Sequence, residues 1–259
     1  GVIMQDTLNF KGHFQIQALD ALNNMTVLDE YVDDNMIMED ARASMSEIFA
    51  KLQTSTGINK FTLGTLGHIG DSILVPKGKD DGFVKERTRL FSETPVTPIL
   101  PGQTLSIIRK NDVMYIQATD LAARGYYRFI AADVQNYVVN DIVITDTSLW
   151  EFLGVTAPYT YSINFDLPGE NSTPGGTVAA NIIEDDTNSG STVKVLQAGS
   201  SVTFTFDIAT AAANSQDQTT SVFTEAALYA NGRIFSMKTF KAKVKDSTVL
   251  LRIVWTITF

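Results

Sequence analysis

The sequence contains no cysteine. Disulfide frameworks, thiolate metal sites and cysteine nucleophiles are therefore excluded together, and stability falls to packing and subunit contacts. Histidine is nearly absent too: His13 and His68 are the only two, and neither has the i, i+4 partner of a helical metal site. No Gly-x-Ser-x-Gly elbow is present to expose a serine nucleophile. Charged residues make up only 19% of the chain, and basic ones are in deficit, 20 Lys and Arg against 29 Asp and Glu, for a net charge of −9. That balance opposes wrapping a polyanion, so nucleic acid is not an expected partner. No apolar run approaches the roughly 20 residues of a membrane span, and the start lacks the order of a signal peptide, so the reading is a soluble chain with no membrane contact.

What is present is alternation. In residues 8–38, Phe10, Gly12, Phe14, Ile16 and Ala18 alternate with polar residues, and Val27 to Met38 can return as a second strand across Asn23-Asn24. Ala41, Met45, Ile48, Phe49 and Leu52 then fall at helical spacing behind Glu39 and Asp40, which predicts a helix over 39–52. Residues 53–95 are turn-rich around one strand, Lys60 to Leu66. Pro95, Pro98 and Pro101 mark a boundary, after which Leu105–Lys110 and Val113–Ala118 flank Asn111-Asp112 as a short hairpin. Further strands are expected over Tyr137–Thr145 and Leu149–Leu153, followed by a loop or linker from Pro168 to Ser191. At the far end Val202, Phe204, Phe206 and Ile208 alternate, and Val222–Ala230 meets Arg233–Phe240 across Asn231-Gly232, a strong hairpin signal. Val249, Leu251, Ile253, Trp255, Ile257 and Phe259 occupy one face of a last strand. The fold class predicted is mainly β with one helix: an antiparallel β-sandwich from residues 1–95 and 166–259, with residues 96–165 as an inserted small β unit.

Motifs with chemistry are few. Gly64, Gly67 and Gly70 form Gly-x-x-Gly-x-x-Gly with no following Gly-Lys-Ser/Thr, so they read as loop glycines rather than a phosphate cradle. Asp80-Asp81 and Glu184-Asp185-Asp186 lack the alternating ligands of a calcium loop and read as solvated charge. No cofactor or metal site is expected, and no catalytic group. Tyr137, Asn140-Asp141, Ile142-Val143 and Leu149-Trp150 resemble the core of small carbohydrate-binding modules, in which an exposed aromatic stacks on a sugar. Tyr137, Trp150 and Tyr159 are therefore the candidate binding residues, with filling of a small β core as the other reading of Tyr137 and Trp150.

Both ends of the chain carry a further resemblance. Phe10-Lys11-Gly12-His13-Phe14-Gln15-Ile16, Leu28-Asp29-Glu30-Tyr31, Asp34 to Met38 and Ala41-Arg42 open the chain. Thr224-Glu225-Ala226-Ala227-Leu228, Asn231-Gly232, Ile234-Phe235 and Trp255-Thr256-Ile257-Thr258-Phe259 close it. Together they resemble a family of virion structural proteins of tailed bacteriophages and prophages. The resemblance covers about residues 10–66 and 200–259 and implies a non-enzymatic tail, neck or baseplate component located in the virion. Its implied partners are other copies of itself and other phage tail or neck proteins. The middle departs from the pattern, and the alternative reading is a glycan-binding tail-fibre module for host-surface recognition.

Overall fold

The computed structural model describes residues 10–50, 57–76, 87–142, 147–167, 176–183, 190–214 and 220–259. Asp80-Asp81 and Glu184-Asp185-Asp186 lie outside them. In chain order the elements are β1 (Lys11–Asp20), β2 (Thr26–Ile37), α1 (Glu39–Phe49), β3 (Ile58–Gly64), β4 (His68–Ile69), β5 (Ser72–Ile73), β6 (Thr104–Ile108) and β7 (Val113–Ile116). After a 3-10 turn at Leu121–Ala123 come β8 (Gly125–Phe129), β9 (Val134–Val138), β10 (Trp150–Gly154), β11 (Thr160–Asp166), β12 (Thr177–Ala179) and β13 (Asn181–Ile183). The last five are β14 (Thr192–Ala198), β15 (Ser201–Ile208), β16 (Thr220–Ala230), β17 (Arg233–Asp246) and β18 (Val249–Thr258).

Eleven strands join edge to edge in the order β12-β14-β15-β18-β1-β2-β17-β16-β3-β11-β13. The neighbours are antiparallel, and the ribbon folds into two facing layers. The corner is the β2–β17 contact, which has only the pairs Met36↔Met237 and Ile37↔Ser236. At the opposite corner β12 lies on β14 while β13 lies on β11, and Ala180 between them donates its N–H to the Val193 carbonyl at 2.9 Å. Residues 177–183 thus strap the two ends of the sheet together, in a stretch whose Gly, Ser and Thr content suggests only a linker.

The interior is aromatic. Phe61 stacks on Phe206 from the facing layer at 4.2 Å, and Phe14 meets Trp255 edge-on at 4.9 Å and Phe240 at 5.3 Å. Such pairs contribute about 0.5–1.5 kcal/mol each beyond the apolar area they bury. β18 runs between β15 and β1, with Phe204, Trp255 and Phe14 in register. Its odd residues from Val249 to Ile257 are buried as the alternation predicts, while Phe259 is half exposed and rests edge-on against Phe10 at 5.5 Å. The turn at Asn231-Gly232 has φ of 50° and 77°, the positive values of a type I′ hairpin. Helix α1 packs on β17, seating Ala41 and Ser44.

Strands β6 to β10 pair only with one another, as the sheets β10-β8-β7 and β6-β9, and enclose a second core from Ile99 to Trp150. The structure departs from the sequence expectation at two places. Thr160–Asp166 belongs to the sandwich, pairing with β3 and burying Tyr161, Ile163 and Phe165 in its core, so the inserted unit stops short of residue 160. Nor do β6 and β7 form a hairpin. Asn111 does turn, at φ 68°, but Asn111 N–H donates to the Phe129 carbonyl at 2.7 Å and Phe129 N–H to that of Asp112 at 2.8 Å. The turn itself pairs with the end of β8, so the flanking strands splay, β6 to β9 and β7 to β8.

Candidate functional site: hairpin surface and buried junction

The candidate aromatics do not form one platform. Trp150 is 2% exposed, its indole N–H donates to the Tyr137 hydroxyl at 3.2 Å, and Phe129, Tyr137 and Tyr127 surround it edge-on at 5.1 to 6.3 Å. Sugar stacking needs an open ring face; here the unit's own core takes it, so the stacking role read for Trp150 gives way to the core-filling one. Tyr137 belongs to the same cluster, whereas Tyr159 packs on the sandwich core, 5.9 Å from Phe223. His13 is exposed, 3.6 Å from Asp34, and His68 bonds through Nε2 to the Phe240 carbonyl at 2.7 Å.

Polar residues are instead concentrated at a junction that sequence reading passes over. Glu225 on β16 is fully buried; its carboxylate accepts from Phe91 N–H and Ser92 N–H at 2.8 Å each and from the Ser92 hydroxyl at 2.5 Å. Gly64 and Gly67 make this possible: a Cβ at Gly64 would lie 2.6 Å from Glu225 Oε1, and one at Gly67 would lie 2.5 Å from the Thr224 carbonyl. Their function is close approach, not phosphate binding. Burial raises the Glu225 pKa, against the pull of the three hydrogen bonds and of Arg87. Arg87, equally enclosed, lies over the Phe91 ring at 3.9 Å and reaches Asp112 of the inserted unit at 3.0 Å. Desolvation lowers its pKa, opposed by Asp112. Glu93 accepts from the Tyr229 hydroxyl and lies 3.7 Å from Lys60. With both carboxylate oxygens of Glu225 occupied and no solvent access, the junction acts as a clasp that fixes segment 87–93 between sandwich and insert.

The second concentration is at the β1–β2 hairpin. Register places Asp29, Tyr31 and Asp33 opposite Ala18, Ile16 and Phe14, hence on the core-facing side of β2. There the backbone of β2 has left β17, and side chains bridge the gap: Lys243 to Asp29 at 2.5 Å, Lys238 to Asp33 at 2.6 Å and to the Asp34 carbonyl at 2.7 Å. Asp33 titrates below its usual value, chiefly through Lys238. Asp29 does so as well, burial pushing it up but Lys243 outweighing that. Inward carboxylates of this kind keep an edge strand from pairing indiscriminately. Apolar side chains are exposed at the turn and along β2, Leu22 by 81%, Leu28 by 56%, and Met25, Val27 and Val32 by about half, while on the outer side Glu30 accepts from Gln15 and Gln17. The signal missed in the sequence is Lys243-Val244-Lys245, where the lysines are buried and Val244 is exposed opposite exposed Val222.

Among the described residues no group of three or more His, Asp or Glu could hold a metal ion, and no helix is long and apolar enough to cross a membrane. No family model, curated protein or solved structure matches the chain.

Proposed function

We propose that this chain is a non-enzymatic structural protein of a tailed-bacteriophage virion, of the tail, neck or baseplate, and that it assembles with copies of itself and neighbouring tail proteins through the β1–β2 hairpin. The observation that carries the reading is the set of exposed apolar side chains, Leu22, Met25, Val27, Leu28 and Val32, gathered on one hairpin. Exposed apolar side chains concentrated on one element of a folded chain mark a contact site. The resemblance of both chain ends to virion proteins supports the virion assignment, and the burial of Trp150 takes away one of the three aromatics read for glycan recognition.

The test is light scattering of the purified chain beside the triple variant Leu22→Ser, Leu28→Ser, Val32→Ser. Burying each of these side chains is worth about 1 kcal/mol or more, so the variant should dissociate at least about a hundredfold more readily. A parent that stays monomeric at high micromolar concentration, or a variant that assembles equally well, would sink the proposal.

A further inference from the structure

The β1–β2 hairpin is poorly suited to meet its own copy. Between Ala18 and Ile37 it carries five acids, Asp20, Asp29, Glu30, Asp33 and Asp34, and no Lys or Arg. Lys243 and Lys238 answer Asp29 and Asp33, which leaves Asp20, Glu30 and Asp34 in excess. A two-fold contact of hairpin on hairpin would set these acids against themselves, and like charges across an interface oppose association. The exposed tip, Leu22 and Met25 beside Asp20, therefore calls for a receiving surface that is apolar with a basic flank.

Such a surface lies between the sandwich and the inserted unit, as a cleft of about 380 Å³. Ile69, Ile73, Leu74, Val75 and Phe91 form its apolar lining, and Val75 is 79% exposed. Of its charged lining residues, Arg87 is spent on Asp112 at 3.0 Å, and Arg109 and Lys110 outnumber Asp133. The floor is set in the free chain: Leu74 N–H donates to the Gly67 carbonyl at 2.8 Å, the Thr239 hydroxyl donates to the Leu74 carbonyl at 2.5 Å, and the Glu225 clasp holds Phe91. Binding there costs little ordering entropy. A second cleft, of about 400 Å³, shares Ile73 and Val75 but is lined by Asp33 and Asp34 against Lys238, the wrong sign for an acidic tip.

With the hairpin as the assembly surface, the reading on which this step rests, we infer that the tip of one copy seats in this cleft of the next. Leu22 and Met25 meet Ile73, Val75 and Phe91, and Asp20 turns toward Arg109 and Lys110. A chain cannot make this contact with itself. Asn24 lies twelve residues from Met36 along β2, roughly 40 Å at 3.3 Å per residue, whereas Leu74 is tied to Thr239, two residues from Met237, the partner of Met36. β1 pairs with β18 along its whole length, so the hairpin cannot fold back. Knob and cleft at opposite ends of one chain make a head-to-tail contact, which builds a ring if the rotation closes and a filament if it does not.

The test mixes two variants of the full chain and reads their mass by sedimentation. A tip variant, Leu22→Ser with Met25→Ser, keeps its cleft; a cleft variant, Val75→Asp with Lys110→Glu, keeps its tip, and both of its substitutions fall at exposed positions. Each variant alone should associate at least about tenfold more weakly than wild type. Mixed one to one, they should form a species of twice the 28.4 kDa chain mass that grows no further, because each pair has one working contact and no second. Should the cleft variant melt earlier than wild type, Val75→Ser alone should still weaken association several-fold. A cleft variant that assembles as wild type does, or a mixture that gives no dimer, would overturn the head-to-tail contact while leaving the hairpin as an assembly surface. A wild-type chain that stays monomeric would overturn both.

Discussion

Replacing Glu225 by Ala tests whether the clasp holds the fold. The substitution strips the acceptor from Phe91 N–H, Ser92 N–H and the Ser92 hydroxyl, all in a buried setting, and takes a carboxylate away from Arg87. A buried donor left without a partner costs about 1–3 kcal/mol. Two backbone donors alone give about 2–6 kcal/mol, and the wild type recovers part of this because its own carboxylate is costly to bury. A net loss of about 2–4 kcal/mol is expected, which for a chain of this size lowers the melting temperature by roughly 5–15 °C. Glu225→Gln keeps one carbonyl acceptor and should lose about half as much. Thermal unfolding followed by circular dichroism gives the first number. Hydrogen exchange at Phe91 and Ser92 gives the location, since those amides should lose protection first. An alanine variant within about 0.5 kcal/mol of wild type, with both amides still protected, would mean that segment 87–93 is held by something else.

Trp150→Ala should cost about 3–5 kcal/mol, as large core aromatics do, and should split the melting curve so that the inserted unit unfolds before the sandwich; a single unshifted transition would count against a separate core. Gly232→Val places a β-branched residue at φ 77° and should cost about 1 kcal/mol or more, read as a lower denaturant midpoint at unchanged slope. Lys245 is enclosed with only neutral acceptors on its ammonium, the Thr210 and Asp246 carbonyls and Asn214 Oδ1 at 2.8 to 3.0 Å, and burial pushes its pKa down to about 8, with Asp246 pulling the other way. Between about pH 8 and 10.5 the unfolded chain therefore holds a proton that the folded chain has released, so stability rises with pH across that window. Denaturant unfolding at both ends of the window should show this rise in wild type relative to Lys245→Met, and parallel pH dependences would contradict it.

The parts of the fold legible in the sequence are those set by local period. Val249 to Ile257 alternate without interruption, Asn231-Gly232 suits a left-handed turn, and Glu39 to Phe49 carries helical spacing, so each forms where its pattern says. Partner choice is not local. Asn111-Asp112 has the composition of a hairpin turn, yet its backbone pairs with Phe129, and nothing within residues 105–118 encodes that. Short edge strands escape for a different reason: Thr177–Ala179 and Asn181–Ile183 are three residues each and fully bury none of their side chains, which is too short for an alternation to stand out. Buried charge is the least legible. Glu225, Lys243 and Lys245 sit at positions that alternation would assign to solvent or leave open, and only the exposure of Val222 and Val244 beside them betrays the reversal. Arg87 and Asp112, 25 positions apart, meet only because the insert folds back on segment 87–93.

The most direct test of the assembly reading is an electron cryo-microscopy map of the chain in its assembled state, since it shows which surface touches a neighbour. Leu22, Leu28 and Val32 should be buried against an adjacent subunit or tail protein, with the Lys243–Asp29 and Lys238–Asp33 pairs intact behind them. A map in which that hairpin projects into solvent while contacts form elsewhere, or in which the chain makes no protein contact at all, would contradict it.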